Sequence, residues 1–157
     1  MKDTRLYILM RNDLESMSTG RAMAQASHAS NAFIKQFGNV GAVIEWQNQT
    51  NQGFGTSIVL AASYNEIKEV FYTNWSFKIH KNEHTNILNY VVDPEYSIKV
   101  TREVFNLIDT HKIMPLRSIF NDDDNTFTIF RSEVTCAYMF GTKEQLDPIL
   151  GHLKLHP

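Results

Sequence analysis

Cysteine is nearly missing: Cys136 is the only one in 157 residues. That excludes an internal disulfide framework and any zinc site built on cysteine pairs. Long apolar runs are missing too, since stretches such as Ile58-Val59-Leu60-Ala61-Ala62 fall far short of the ~20 residues that cross a bilayer. After Met1-Lys2-Asp3 the chain enters a strand-like run with no signal-peptide pattern. These absences lead us to expect a cytoplasmic protein without membrane contact. Clustered positive charge is also lacking, with 15 Lys and Arg against 17 Asp and Glu and a formal charge of −2. Asp122-Asp123-Asp124 even forms an acidic knot. Any grip on a nucleic-acid backbone must therefore come from a local patch. Gly53 and Gly55 do not open a helix with a third glycine, so a dinucleotide fingerprint is absent. His80 and His84 have helical ligand spacing but no accompanying glutamate, and two histidines fall short of the usual three or four zinc ligands. No metal or other cofactor is expected.

What is present fits one domain over residues 1–157, with 43% apolar and 20% charged residues. Leu6-Tyr7-Ile8-Leu9-Met10 is almost wholly apolar, as in a strand covered on both faces. Arg11-Asn12-Asp13 reads as a polar turn, and Ser16, Ser18 and Thr19 offer helix N-caps. The spacing predicts a helix from Gly20 to Phe37, with Ala22, Ala26, Ala29 and Phe33 as its inner stripe and Gly38 ending it. A shorter helix follows over Val40 to Gln49, then a strand over Thr56 to Ala62 and a helix over Tyr64 to Phe77. Tyr72, Trp75 and Phe77 read as core residues of that helix, a homodimer interface being their other use. A third strand spans Ile87 to Val92 and is expected to close at Asp93-Pro94. Beyond it come a helix over Thr101 to Thr110, with Val104, Leu107 and Ile108 inward, and strand pieces Leu116–Phe120 and Thr126–Phe130 around a turn. A core strand over Glu133 to Phe140 and a helix over Lys143 to Leu153 complete the chain. Alternation of strand and helix implies an α/β sandwich.

Three groups of residues are candidates for chemistry. Arg21, Gln25 and His28, at offsets of four and three, share one helix face, set roughly opposite the alanine stripe. That helix start lies where a strand ends, the usual place for ligands in open α/β sheets. Spacing alone is equally that of an idle, solvated polar stripe. Asp93 ends the third strand and could orient a water, although an aspartate before proline also simply forms turns. Thr135 could bind a carbonyl or an oxyanion, or be an ordinary strand threonine beside a buried thiol, Cys136. No histidine pairs with Cys136 in a nucleophile motif.

Arg11-Asn12-Asp13-Leu14, then Met17, then Gly20-Arg21-x-x-Ala24-Gln25-x-x-His28-Ala29 resembles the opening motif of type II peptidyl-tRNA hydrolases. The ending Gly151-His152-Leu153-Lys154-Leu155 is similar as well. The resemblance implies a three-layer α/β/α sandwich with a mixed four-stranded sheet. It also implies cofactor-free hydrolysis of the ester joining a peptide to the tRNA 3′ ribose. In it, Arg21, Asp93 and Thr135 are the catalytic residues, and Gly20, Gln25 and His28 bind substrate. Arg21 stands where the family has lysine; an arginine stays protonated and suits an electrostatic role better than a base role. Asp93-Pro94-Glu95 replaces a D-A-G segment, and Asp122 with Thr126 is the other register for the site carboxylate. With Asp93 preferred, roughly Lys99 to Phe130 is an insertion that packs beside the site or completes a dimer. The alternatives to a peptidyl-tRNA hydrolase are a non-catalytic tRNA- or nucleotide-binding module and a hydrolase of smaller aminoacyl esters.

Overall fold

A computed structural model describes residues 3–81, 86–112, 118–123 and 125–157. The elements run β1 (Thr4–Arg11), α1 (Thr19–Phe37), α2 (Gly41–Gln47), β2 (Ser57–Ala62), α3 (Tyr64–Lys81), β3 (Ile87–Thr101), α4 (Arg102–His111), β4 (Ser118–Asp123), β5 (Thr126–Thr142), α5 (Lys143–Leu150) and β6 (Lys154–Leu155). The strands form one mixed sheet in the order β3-β5-β1-β2-β6, with β4 also paired to β5. β1 and β2 are parallel, whereas β5 runs antiparallel to β1 and β3. The sheet thus has six strands rather than the expected four. Gly151 ends α5 three residues early, which frees Lys154–Leu155 to pair with the outer edge of β2. β4 is added where β5 runs on past β1.

The apolar β1 run is explained by its two neighbours. Leu6, Ile8 and Met10 pack with Ala22, Ala29 and Phe33 of α1 and Val43 and Trp46 of α2. Tyr7 and Leu9 face the other way, against Ile67 and Val70 of α3 and Leu146, Ile149 and Leu150 of α5. Successive strand residues point to opposite faces, so a strand buried on both has no polar positions left. These are the three layers. On the first face Phe33 is central, with ring centroids 5.0 Å from Phe140, 5.5 Å from Tyr138 and 5.8 Å from Trp46. Gly55 closes the α2–β2 loop against Trp46, whose backbone oxygen leaves no room for a Cβ.

Pro94 does not end β3. The ladder slips between Asp93, opposite Glu133, and Tyr96, opposite Arg131, so the proline falls in a bulge where its missing N–H breaks no ladder bond. β3 then continues to Thr101, and β5 is likewise one 17-residue strand instead of two pieces. The upper half of β5 pairs with β1 and the lower half, from Thr126 to Phe130, with β4. Strands β3, β5 and β4 therefore project past β1 as a ribbon. Helix α4, capped by the Thr101 side chain, lies on it through Ile108 and a Phe105–Phe127 ring stack at 4.5 Å. Val104 and Leu107 are exposed rather than inward, because a ribbon covers only one side of a helix. Leu116 lies outside the described residues, and the ladder of β4 reaches Asp123, beyond the expected turn at Asn121. The expected core role of Tyr72 and Trp75 fails too: they are 69% and 54% exposed, because α3 turns Ile67, Val70 and Asn74 to the sheet instead. Of the Phe77 side chain nothing is described. Among the described residues, no helix is long and apolar enough to cross a membrane.

Phe33 packs its ring against those of Phe37, Trp46, Tyr138 and Phe140 on the first face. Phe33→Ala should lower unfolding free energy by about 3–5 kcal/mol, as expected of a large aromatic lost from a close-packed core. Urea denaturation of the two proteins measures this directly.

Candidate active site

α1 begins where the chain leaves β1. Ser18 caps it, its hydroxyl accepting the Arg21 N–H. The helix buries Ala22, Gln25, Ala29 and Phe33, while Ala26 is half-buried. Gln25 is therefore on the sheet-facing side, only 4% exposed, and not opposite the alanine stripe. A buried primary amide is tolerated when both its ends are bonded. Here they are. The Thr135 hydroxyl donates to Gln25 Oε1 at 2.7 Å, and Gln25 Nε2 donates to Asp93 Oδ2 at 2.7 Å. The Cys136 thiol donates to the Gln25 backbone oxygen at 3.6 Å.

Asp93 is half-buried in the β3 bulge, and its Oδ1 also accepts the Glu95 N–H at 3.0 Å. Thr135 is 0% exposed, so its hydroxyl acts on Gln25. One helical turn before Gln25, Arg21 reaches across to β3. Its Nη1 donates to the Ser97 carbonyl at 2.7 Å and its Nη2 to the Ser97 hydroxyl at 2.6 Å, with the guanidinium 5.5 Å from the Tyr96 ring centroid. Two of five donors are thus used, and the charge is fixed in place. Gly20 and His28 flank these residues on α1 and are exposed; His28 bonds to none of the described residues. A Cβ at Gly20 would meet open space. The other register does not reach this place. Thr126 lies seven residues along β5 from Glu133, the residue paired with Asp93, a separation of roughly 23 Å in extended strand. The Asp122 side chain and His84 are outside what is described, and the described residues include no cluster of three potential metal ligands.

A second cluster is built from residues that the sequence showed as a polar turn and as the start of the family motif, with no side-chain role assigned to them. Arg11, 7% exposed, donates through Nη1 to Glu133 Oε1 at 3.0 Å and to the Val134 carbonyl at 2.9 Å, and through Nε to Asp13. Glu133 also takes Arg131 at 2.8 Å, and Asp13 Oδ2 accepts the Tyr64 N–H that opens α3. This knot ties the loop after β1 to β5 and α3. Burial alone would push the Arg11 guanidinium down, but Asp13 and Glu133 outweigh it and hold its pKa above the usual value. For Asp13, burial pushes upward, and the bonds from Arg11 and the Tyr64 N–H bring the carboxyl below its ordinary 3.8. The signal available in the sequence was a charged pair placed directly after a fully buried strand.

A cleft of about 580 Å³ opens beside Arg21, between the 13–18 loop and the ribbon. Tyr96 joins its two walls, its hydroxyl accepting from Ser16 at 3.1 Å and donating to the Met17 sulfur at 3.8 Å.

Comparison with known proteins matches residues 4–87 to the family described as Peptidyl-tRNA hydrolase PTH2. The match contains Gly20, Arg21, Gln25 and His28 and stops short of Asp93 and Thr135. A solved structure of a protein of unknown function from Agrobacterium tumefaciens aligns over 100% of both chains, at 13% identity and a TM-score of 0.47. None of the curated proteins compared matches.

Two outcomes follow from the environments of Cys136 and Asp13. Burial pushes the Cys136 thiol up to about 12, against a smaller opposing effect of Thr135. In folded protein at pH 8 the thiol should resist a disulfide reagent, and react promptly once urea is added. Asp13, with its depressed pKa, contributes stability that is complete above the unfolded-state value and lost as pH falls through the lower folded value. Asp13→Asn should therefore lower the urea midpoint at pH 7 and reduce the further loss seen below about pH 4. Paired urea titrations at pH 7 and pH 3 would show it.

Proposed function

The chain belongs to the peptidyl-tRNA hydrolase PTH2 family, and from that premise we propose that it hydrolyses the ester between a peptide and the 3′ ribose of tRNA. The observation that carries this reading is the Thr135–Gln25–Asp93 hydrogen-bond chain, with the Arg21 cation one turn away. Thr135 fixes the Gln25 amide so that its N–H₂ points at Asp93. The carboxylate, held from one side by Gln25 and from the other by Glu95 N–H, orients an attacking water and takes its proton. The water oxygen bonds to the ester carbonyl carbon, the bond to the ribose oxygen breaks, and that oxygen leaves with the proton that Asp93 took, which restores the carboxylate. Arg21 stabilises the negative charge that builds on the carbonyl oxygen. Its bonds to Ser97 preorganise the guanidinium, and arginine in place of lysine leaves this electrostatic task unchanged. Gly20, with open space around it, lets the substrate approach the helix start, and exposed His28 lies along the same path. Residues 1–157 act in this reading as one domain, with 99–130 an added arm.

A binding module without chemistry is the second reading, favoured by one observation: each terminal nitrogen of Arg21 already spends one of its two N–H groups on Ser97. Such a module would retain peptidyl-tRNA and release no peptide.

Purified protein should release peptide from peptidyl-tRNA, and Asp93→Asn and Arg21→Ala should each lower the rate about 100- to 1,000-fold. Thr135→Val, which leaves Gln25 without its donor, should reduce kcat with little change in KM. Wild-type rates in both Asp93→Asn and Arg21→Ala would refute the site.

A further inference from the structure

The pairing of β3 with β5 slips twice, in opposite senses. From Val91–Cys136 the ladder passes to Val92–Val134, so Thr135 is an extra residue on β5. From Asp93–Glu133 it passes to Tyr96–Arg131, so Pro94 and Glu95 stand against Ser132 and the extra residue is on β3. The second bulge restores the register that the first displaced. A regular strand sends consecutive side chains to opposite faces, and both bulges lie where α1 draws on consecutive residues. Thr135 and Cys136 both bond to Gln25. Tyr96 and Ser97 both meet Arg21.

The second of these pairs fits a guanidinium and not an ammonium. Ser97 offers two acceptors from one residue, its carbonyl oxygen at 2.7 Å from Nη1 and its hydroxyl oxygen at 2.6 Å from Nη2. A planar fork answers both at once and lies over the Tyr96 ring, 5.5 Å from its centroid. Tyr96 is 3% exposed, and its hydroxyl is bonded to Ser16 and Met17, so the ring is itself held. A lysine there would bring the charge on a single nitrogen, with no flat face for the ring. Ser97 stands beyond residue 87, where the family match ends.

Resting on the hydrolase reading above, we propose that Ser97, backed by Tyr96, is a positioning residue that acts through Arg21 and makes this cationic position specific for arginine. The N–H groups not spent on Ser97 remain for the carbonyl oxygen of the ester. A guanidinium released from Ser97 keeps its charge and loses its aim, so turnover suffers more than substrate affinity.

The test uses the full chain and peptidyl-tRNA. Ser97→Ala keeps the carbonyl bond and lacks the hydroxyl, and should lower kcat about tenfold with KM within about twofold. Ser97→Thr, which returns a hydroxyl, should recover most of the rate. Arg21→Lys, although it conserves the charge, should lower kcat about 100-fold. In the Arg21→Lys background, Ser97→Ala should change kcat by less than about twofold, whereas a merely structural serine would cost the same in both backgrounds. Proton–nitrogen NMR of arginine-labelled protein reads the contact without turnover. Arg21, identified by the signals that Arg21→Lys removes, should show separate terminal N–H resonances that merge in Ser97→Ala. Merged resonances in the wild type, a Ser97→Ala enzyme as fast as the wild type, or an equal cost in both backgrounds overturns the proposal and leaves the hydrolase reading intact. Separate resonances in a protein that releases no peptide would keep the Ser97–Arg21 clamp and remove the hydrolase reading.

Discussion

A primary amide buried between a helix and a sheet commits its surroundings. Gln25 has both amide ends turned away from water, and leaving either unpaired would cost about 1–3 kcal/mol. Its oxygen therefore requires the Thr135 hydroxyl and its nitrogen the Asp93 carboxylate, each at 2.7 Å. Meeting both demands sets the position of α1 over β5 and holds the β3 bulge against it. Residues far apart in the chain are brought together by one side chain that cannot be satisfied otherwise. The same requirement places a helix polar position at the centre of the candidate site.

The Arg11 knot performs the complementary task on the approach to that helix. A buried guanidinium is costly unless its charge is answered, and breaking one partner leaves the other uncompensated. Asp13, Glu133 and the Val134 carbonyl answer it, and Asp13 passes the constraint on to the first N–H of α3. The loop between β1 and α1 is thus held at its base. Where that loop leaves the knot, Ser16 and Met17 rest on Tyr96 from the ribbon. Arg21 is fixed by the same strand at Ser97. The ribbon is consequently tied to both the loop and α1, and not an appendage that the rest of the fold could ignore.

Much of the fold was legible before any coordinates. The continuous apolar run of β1, the inner stripe Ala22–Ala29–Phe33 and the strand over Ser57–Ala62 all repeat with a local period, and local periods are what sequence displays. Helix α4 was legible for the same reason, but the inner face was misassigned at Val104 and Leu107, since facing depends on which side the ribbon covers. Pro94 read as a stop because its missing N–H breaks a regular ladder, and only the register slip opposite Glu133–Arg131 shows how β3 passes it. Tyr72 and Trp75 read as core from their helical spacing, yet α3 is rotated to bury Asn74 instead. β6 could not be read at all, being two residues that become a strand by pairing with β2.

The sequence by itself determined the layered α/β architecture, the family motif and the candidates Arg21, Gln25, His28, Asp93 and Thr135, because these rest on composition and on neighbours close along the chain. Tertiary structure alone decided that Gln25 joins Asp93 to Thr135, that Arg21 is held by Ser97, and that His28 stays at the surface. The separations involved are 68, 110 and 76 residues, and no local pattern encodes a hydrogen bond across them. Such pairings follow from strand register and from the demand that buried polar atoms find partners, both of which exist only once the chain has closed.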